Sequence, residues 1–296
     1  MNTISTIAPG LRDRGGWAPM VAGGLLLGTL GVFVQEAGQH PLTTVWFRCL
    51  FGGAALLAWG AARGRLGELR LDARGWTAVA AAGVLMVANW ALFFAAIERT
   101  SIGLATVVFH VQPLWLMAWG AWRLGEPVSK ANAGGAALAL AGLALASGLA
   151  DGGATRWSAD HLAGIAMCLA ASVSYTGVSL IAKSSRSASS FALAFGQCGV
   201  GALALAWWPA SHGWPAFGPA WGWLAGLGVI HTGLAYVLLY AGMARLSSGR
   251  IAVLQFVYPA TAVAVDWAVY GRSLSALQMA GVALMAIALL SVRESR

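Results

Sequence analysis

Three groups of side chains in this chain could do chemistry, and each sits inside long apolar runs. The first is aromatic: Asn89, Trp90 and Phe94 in one run, Tyr236 and Tyr240 in another, and Tyr175 in a third. Trp90 and Phe94, like Tyr236 and Tyr240, are spaced i, i+4 and so share one helix face. Such faces could wall a cavity for an apolar substrate, or they could only pack and belt a bundle. The second group surrounds two prolines: His110, Gln112 and Trp115 flank Pro113, and Gln255 and Tyr258 flank Pro259. A proline inside a helix removes a donor, frees a carbonyl and bends the axis, which suits a gate or an exposed backbone acceptor. The other reading is a structural kink whose polar neighbours satisfy the freed backbone. The third group is ionisable: Arg48, Asp266, Glu36, Glu98 and His231. A charge at membrane depth is expensive unless paired, so Arg48 should have a partner, with Asp266 and Glu36 as the candidates. Such a pair could be a static tie between helices or could bind substrate or protons. His231 reads as a hydrogen-bonded interior residue rather than a proton carrier.

The elements that must position these residues are membrane helices. Hydrophobic residues make 59% of the 296-residue chain and charged residues 9%, with a mean hydropathy of +0.73. Ordinary soluble domains carry about 25% charge. A bilayer core of about 30 Å needs roughly 20 apolar residues per helix. Ten runs qualify: 17–36, 42–62, 75–97, 101–122, 131–150, 161–182, 189–208, 219–244, 249–270 and 274–292. The first is too long for a secretory signal and lacks a clear small-x-small cleavage site. Basic residues fall unevenly on alternate sides of these runs. One side receives Arg12, Arg14, Arg63, Arg65, Arg70, Arg74, Arg123, Lys130, Lys183, Arg186, Arg245, Arg250, Arg293 and Arg296; the other receives Arg99, Arg156 and Arg272. Fourteen against three predicts both termini on the cytoplasmic side of a bacterial inner membrane.

The chain also reads twice. A gapless shift of 146 residues superimposes Gly31 on Gly177, Gly53 on Gly199, Gly67 on Gly213, Gly103 on Gly249, Gly125 on Gly271 and Gly135 on Gly281. It also superimposes Ser101 on Ser247, Pro113 on Pro259, Trp90 on Tyr236 and Phe94 on Tyr240. Six glycine matches exceed the roughly 2–3 that chance would give. The repeat predicts two domains, 1–150 and 151–296, each with five spans. An odd number of spans inverts the second copy relative to the first, the build of alternating-access transporters. The expected fold is therefore an all-α integral membrane protein, with ten transmembrane helices as two inverted five-helix repeats around a central cavity.

Several function classes are excluded. The +8 net charge is spread over loops and carries no base-stacking or groove-reading element, so no nucleic acid is expected. Cys49, Cys168 and Cys198 lie in apolar runs, as packing residues do. There is no Walker loop, no metal-ligand cluster and no nucleophile elbow, so neither an enzyme nor a cofactor is expected. Helix 1 has no acid at mid-membrane, which argues against a simple carboxylate-driven proton antiporter.

Gly-Glu-Pro-Val-Ser at 125–129 closes the fourth run, with Gly135 opening the fifth, and Gly-Arg-Ser-Leu-Ser at 271–275 is the matching segment of copy two. With Arg48 followed by small and apolar residues, and two inverted fives, these segments resemble the drug/metabolite transporter superfamily, EamA-type branch. Arg272 stands where that family usually has Glu. The short loops and aromatic core resemble the YddG-type amino-acid exporters. The resemblance implies a basket of ten helices, with helices 1, 3, 4, 6, 8 and 9 lining the centre and helices 5 and 10 towards the rim. It implies export of aromatic or other apolar amino acids, with a small-molecule substrate and the bilayer as partners of a protein that could act as a monomer. The alternatives are a proton-coupled efflux pump for lipophilic cations, using Asp266 or a histidine, and a lipid or sugar-carrier flippase of the same fold.

Overall fold

The computed structural model describes residues 15–147, 158–271 and 274–294. Arg12, Arg14, Arg156, Arg272 and Arg296, used in the orientation argument, lie outside the described residues, as does the side chain of Arg293. All regular structure among the described residues is helical. In chain order the segments are α1 (Trp17–Ala37), α2 (Pro41–Ala62) and α3 (Ala73–Arg99), then α4 in two pieces (Ile102–Phe109 and Gln112–Leu124) and α5 (Lys130–Ala146). The second half runs α6 (Ala159–Ser184), α7 (Ser190–His212) and α8 (Pro219–Met243), α9 in two pieces (Ser248–Leu254 and Val257–Tyr270) and α10 (Ala276–Glu294). Eight of these are long and apolar enough to cross a membrane. α5 and the apolar stretch of α10 are shorter. At 1.5 Å per residue α5 spans about 25 Å, less than a hydrocarbon core of about 30 Å.

The matched residues of the two copies turn out to be backbone punctuation. Ser101 caps the start of α4, its side chain accepting from Leu104 N at 3.2 Å, and Ser247 does the same for α9 with Arg250 N at 3.4 Å. Gly125 and Gly271 end these helices at φ +63° and +62°, a left-handed conformation that costs glycine little. Pro113 and Pro259 lie just beyond the breaks at His110–Val111 and Gln255–Phe256. Each proline sits in the first turn of the second piece, where its missing N–H costs nothing further.

Packing between the halves follows the same symmetry. α3 lies on α6 and α7, as α8 lies on α1 and α2; α4 lies on α6, as α9 lies on α1. Three further inter-copy pairs, α2 with α7, α4 with α9 and α5 with α10, are their own counterparts. These contacts map onto one another when the copies are exchanged, as a pseudo-two-fold axis requires; the packing of α5 on α9 departs from it, with no contact of similar extent between α10 and α4. α5 and α10 meet at Gly142 and Gly281: a Cβ on Gly142 would lie 2.6 Å from the Gly281 carbonyl oxygen. Small residues let two membrane helices approach this closely.

α8 carries a feature that α3 lacks. Residues Leu227–Leu234 of α8 form a π-turn, whereas the corresponding stretch of α3 is regular α-helix. The turn packs on α2, where a Cβ on Gly228 would lie 2.7 Å from Gly52 N. π segments inside α-helices are frequent at functional sites.

Candidate functional site

The π-turn presents Thr232, whose Oγ1 donates to the Leu227 carbonyl at 3.0 Å and accepts from Arg48 Nε at 3.1 Å. Arg48 is 5% exposed, and its guanidinium carbon lies 5.5 Å from the centre of the Trp90 ring. The expected Arg48–Asp266 pair does not form. No carboxylate among the described residues lies within 4.0 Å of Arg48. The arginine is turned towards α8 instead, and the other candidate, Glu36, accepts from the Tyr270 hydroxyl at 3.3 Å.

Four of the five tyrosines gather beside this arginine. Tyr236 and Tyr240 lie along one face of α8, their rings tilted by 44° with centres 5.6 Å apart, as their spacing predicted. Tyr175 of α6 and Tyr258 of α9 lie within electrostatic reach of Tyr236, and Arg48 within reach of both Tyr236 and Tyr258. At the α4 break the His110 ring lies 5.9 Å from Tyr258 and 5.8 Å from Phe256. Its Nδ1–H donates to the Thr106 carbonyl at 2.6 Å, which assigns the lone pair to Nε2. Phe109, one residue earlier, faces Tyr175 at 5.8 Å. Six helices thus converge: α2, α3, α4, α6, α8 and α9. The resemblance had placed α1 on the centre and not α2.

Other expected site residues are spoken for or lie elsewhere. Asn89 donates through Nδ2 to the Ala171 carbonyl at 3.0 Å and ties α3 to α6. Gln112 donates to Ser179 Oγ at 3.4 Å and is likewise a tie to α6. Tyr240 donates its hydroxyl to Gln197 Oε1, so only its ring is available. Phe94 packs beside Phe93, with ring centres 6.3 Å apart. Trp115 is 43% exposed and lies with Trp119 and Trp122 along an outer groove between α4 and α6, so the structure does not bring it to the cluster. Its Nε1 donates to Ser172 Oγ at 3.1 Å. Gln255 has both amide atoms buried without a hydrogen-bond partner. His231 is fully buried and its Nε2 shares a hydrogen bond with Thr29 Oγ1 at 2.9 Å. That makes it a tie between α8 and α1, as the sequence suggested.

Sequence reasoning missed Thr232, whose role depends on the π-turn, and a tie that joins the two halves at the opposite ends of their helices. Glu126, after Gly125, pairs with Lys183 Nζ at 2.7 Å and accepts from Ser248 N at 2.7 Å, while Lys183 also donates to the Leu246 carbonyl at 2.6 Å. Burial pushes the Glu126 carboxyl up, but the Lys183 ammonium together with the Ser248 N–H and hydroxyl outweighs it and holds the carboxyl below its ordinary value. The available signal was that both residues flank runs on the same, basic side of the chain.

Comparisons with known proteins agree with this architecture. A transporter of Bacillus subtilis (strain 168), named only as the uncharacterized transporter YxxF, is 26% identical over 270 residues, covering 90% of this chain and 85% of the relative. An uncharacterized transporter of Archaeoglobus fulgidus is 27% identical over 273 residues, covering 92% and 94%. One solved structure, titled only as the crystal structure of a protein, superimposes with a TM-score of 0.84 over 94% of this chain and 96% of its own at 20% identity, which speaks to the fold alone. Two stretches, residues 16–148 and 162–293, each match the EamA-like transporter family, and the chain, a multi-pass membrane transporter with two such repeats, belongs to that family.

Proposed function

We propose that the protein exports amino acids, chiefly aromatic and other apolar ones, together with related metabolites, by alternating access. The observation that carries this reading is the convergence of Trp90, Tyr175, Tyr236 and Tyr258 beside Arg48 and the break of α4. Aromatic rings would cover an apolar side chain, while Arg48 and His110 Nε2 offer polar contacts to a zwitterion. α5 and α10 complete ten spans, and the halves 1–150 and 151–296 are inverted five-helix repeats. Alternating access then rocks one repeat against the other about the paired kinks. Both termini face the cytoplasm, and reporter fusions after residues 68, 127, 186 and 247 report cytoplasm while those after 40, 99 and 212 report the far side.

A pump for lipophilic cations would need an acidic partner for its cargo. The cluster holds a buried cation instead, with no carboxylate within 4.0 Å of it among the described residues. The test is counterflow of labelled phenylalanine and threonine in liposomes, with Trp90→Ala and Tyr236→Ala beside the parent protein. Each ring contributes on the order of 1 kcal/mol to an aromatic substrate, so each truncation weakens phenylalanine several-fold and threonine less. Equal losses for both substrates, or counterflow of cationic dyes and of neither amino acid, would refute the reading.

A further inference from the structure

Arg48 is a buried charge that no protein carboxylate offsets among the described residues. Its protein contacts are one hydrogen bond, Nε to Thr232 Oγ1 at 3.1 Å, and the Trp90 ring at 5.5 Å. The two Nη groups carry four N–H donors, and none has an acceptor among the described residues. An arginine about a third of the way along a membrane helix is costly, and its Nη groups are not among the sealed-off polar atoms, so they face accessible space in which an acceptor can reach them. A residue kept for structure alone would be expected to recruit a carboxylate, as Lys183 recruits Glu126 at 2.7 Å.

The surroundings hold Arg48 open rather than neutralise it. Thr232 fixes Nε, and its own hydroxyl proton is committed to the Leu227 carbonyl, so the contact orients the fork without offsetting its charge. The π-turn is what aims Thr232 at α2. Trp90 covers one face of the guanidinium, leaving its edge for a planar anion. The two positions are also where the repeat is broken: the 146-residue shift pairs Arg48 with Ala194 and Thr232 with Met86. The inverted copy therefore has neither the cation nor its orienting hydroxyl.

We propose that Arg48, oriented by Thr232 on the π-turn, is the carboxylate-binding subsite of the transporter. It takes the carboxylate of an amino acid or related acid in a forked, two-bond contact, and Trp90 and Tyr236 cover the adjoining side chain. This deepens the amino-acid reading and rests on it for the identity of the body that the carboxylate carries. The subsite selects α-carboxylates and rejects the corresponding amines.

The test uses three probes that share one benzyl body: phenylalanine, 3-phenylpropanoate and 2-phenylethylamine. Binding to the purified full chain in detergent is read by ligand-induced thermal stabilisation. The parent protein should bind the two carboxylates at least about tenfold more tightly than the amine. Arg48→Met, close in volume and uncharged, should abolish that preference without lowering the melting temperature of the ligand-free protein, because an uncompensated charge is removed. Thr232→Val should lower carboxylate affinity several-fold and leave the amine unchanged. Equal binding of amine and carboxylate by the parent protein would overturn the proposal, and so would a carboxylate preference that survives in R48M. Glutamate and lactate, run alongside, separate the two readings. If only non-aromatic carboxylates bind and R48M loses them, the subsite stands and the aromatic amino-acid reading falls; if no carboxylate binds, the subsite falls as well.

Discussion

Tyr240→Phe removes one hydroxyl and asks whether that group serves the fold or the substrate. Tyr240 is 1% exposed and donates to Gln197 Oε1, while Gln197 is itself 1% exposed and its Nε2 has no partner. The single substitution therefore leaves a buried side-chain amide with no hydrogen bond at all. Stranding a buried polar group costs about 1–3 kcal/mol, whereas replacing both partners by apolar groups is close to neutral. Tyr240→Phe should thus cost about 2 kcal/mol and Gln197→Leu a similar amount. The double variant should cost under about 1 kcal/mol, a coupling of about 3 kcal/mol in a double-mutant cycle. Steric trapping in bicelles measures this reversibly. In a thermal melt the single variants should fall by on the order of 5 °C. KM for phenylalanine should stay within about twofold in Y240F, because the ring remains and the hydroxyl already has a protein partner. A Y240F protein with parental stability and a raised KM would refute the assignment, as would a Gln197→Leu that fails to rescue it.

Pro113→Ala and Pro259→Ala each restore an N–H to a broken helix and should bias opposite conformations, so cysteine labelling from the two membrane faces should change in opposite senses; identical changes would contradict an inverted gate. Gly281→Ala places a Cβ 2.5 Å from Ala146 N, and since backbone cannot give way cheaply it should cost about 1–3 kcal/mol while leaving the transport kinetics of surviving protein unchanged. Glu126 supplies the pH dependence. Its folded pKa lies below the ordinary 4.5, so its contribution is present above that value and is lost as pH falls through the lower, folded pKa. Glu126→Gln should therefore lower stability at neutral pH and reduce the loss on acidification below pH 4.5, measured as melting temperature against pH; an unchanged acid limb would show that the Lys183 pair is not responsible.

The parts of the fold that were legible in the sequence are those fixed by backbone chemistry. A serine that caps, a proline that breaks and a glycine that closes in the left-handed region each act through one or two dihedrals, whatever surrounds them. Ser101, Pro113 and Gly125 therefore recur at Ser247, Pro259 and Gly271 with the same roles, and the two halves could be aligned by eye. The tyrosine face of α8 was legible for a similar reason, since its i, i+4 spacing is local. Side-chain partners across helices were not legible. Asn89 and Gln112 look alike as polar residues in apolar runs, yet both are committed to α6, and that depends on a packing partner some 80 and 67 residues away in the chain. Trp115 follows Pro113 by only two residues and faces outward, because two residues along a helix turn a side chain by about 200°.

Arg48 failed as a sequence expectation for a more informative reason. The rule that a membrane charge must find a protein partner assumes that the charge serves the fold. Departures from such rules concentrate where a protein must receive something else. The same logic separates the whole chain into scaffold and site. Positions that agree under the 146-residue shift build the caps, the proline-marked breaks and the glycine helix ends. Apart from Trp90 and Tyr236, which are aromatic in both copies, the cluster is built from positions that disagree: Arg48 against Ala194, Thr232 against Met86, His110 against Phe256, Tyr258 against Gln112 and Tyr175 against Thr29. On the proposed alternating-access reading, the two conformations need near-equal energies, which backbone features shared by the two repeats would supply. A substrate with distinct ends needs an asymmetric site, which two identical halves could not provide. Divergence at the axis, over a symmetric frame, satisfies both requirements at once.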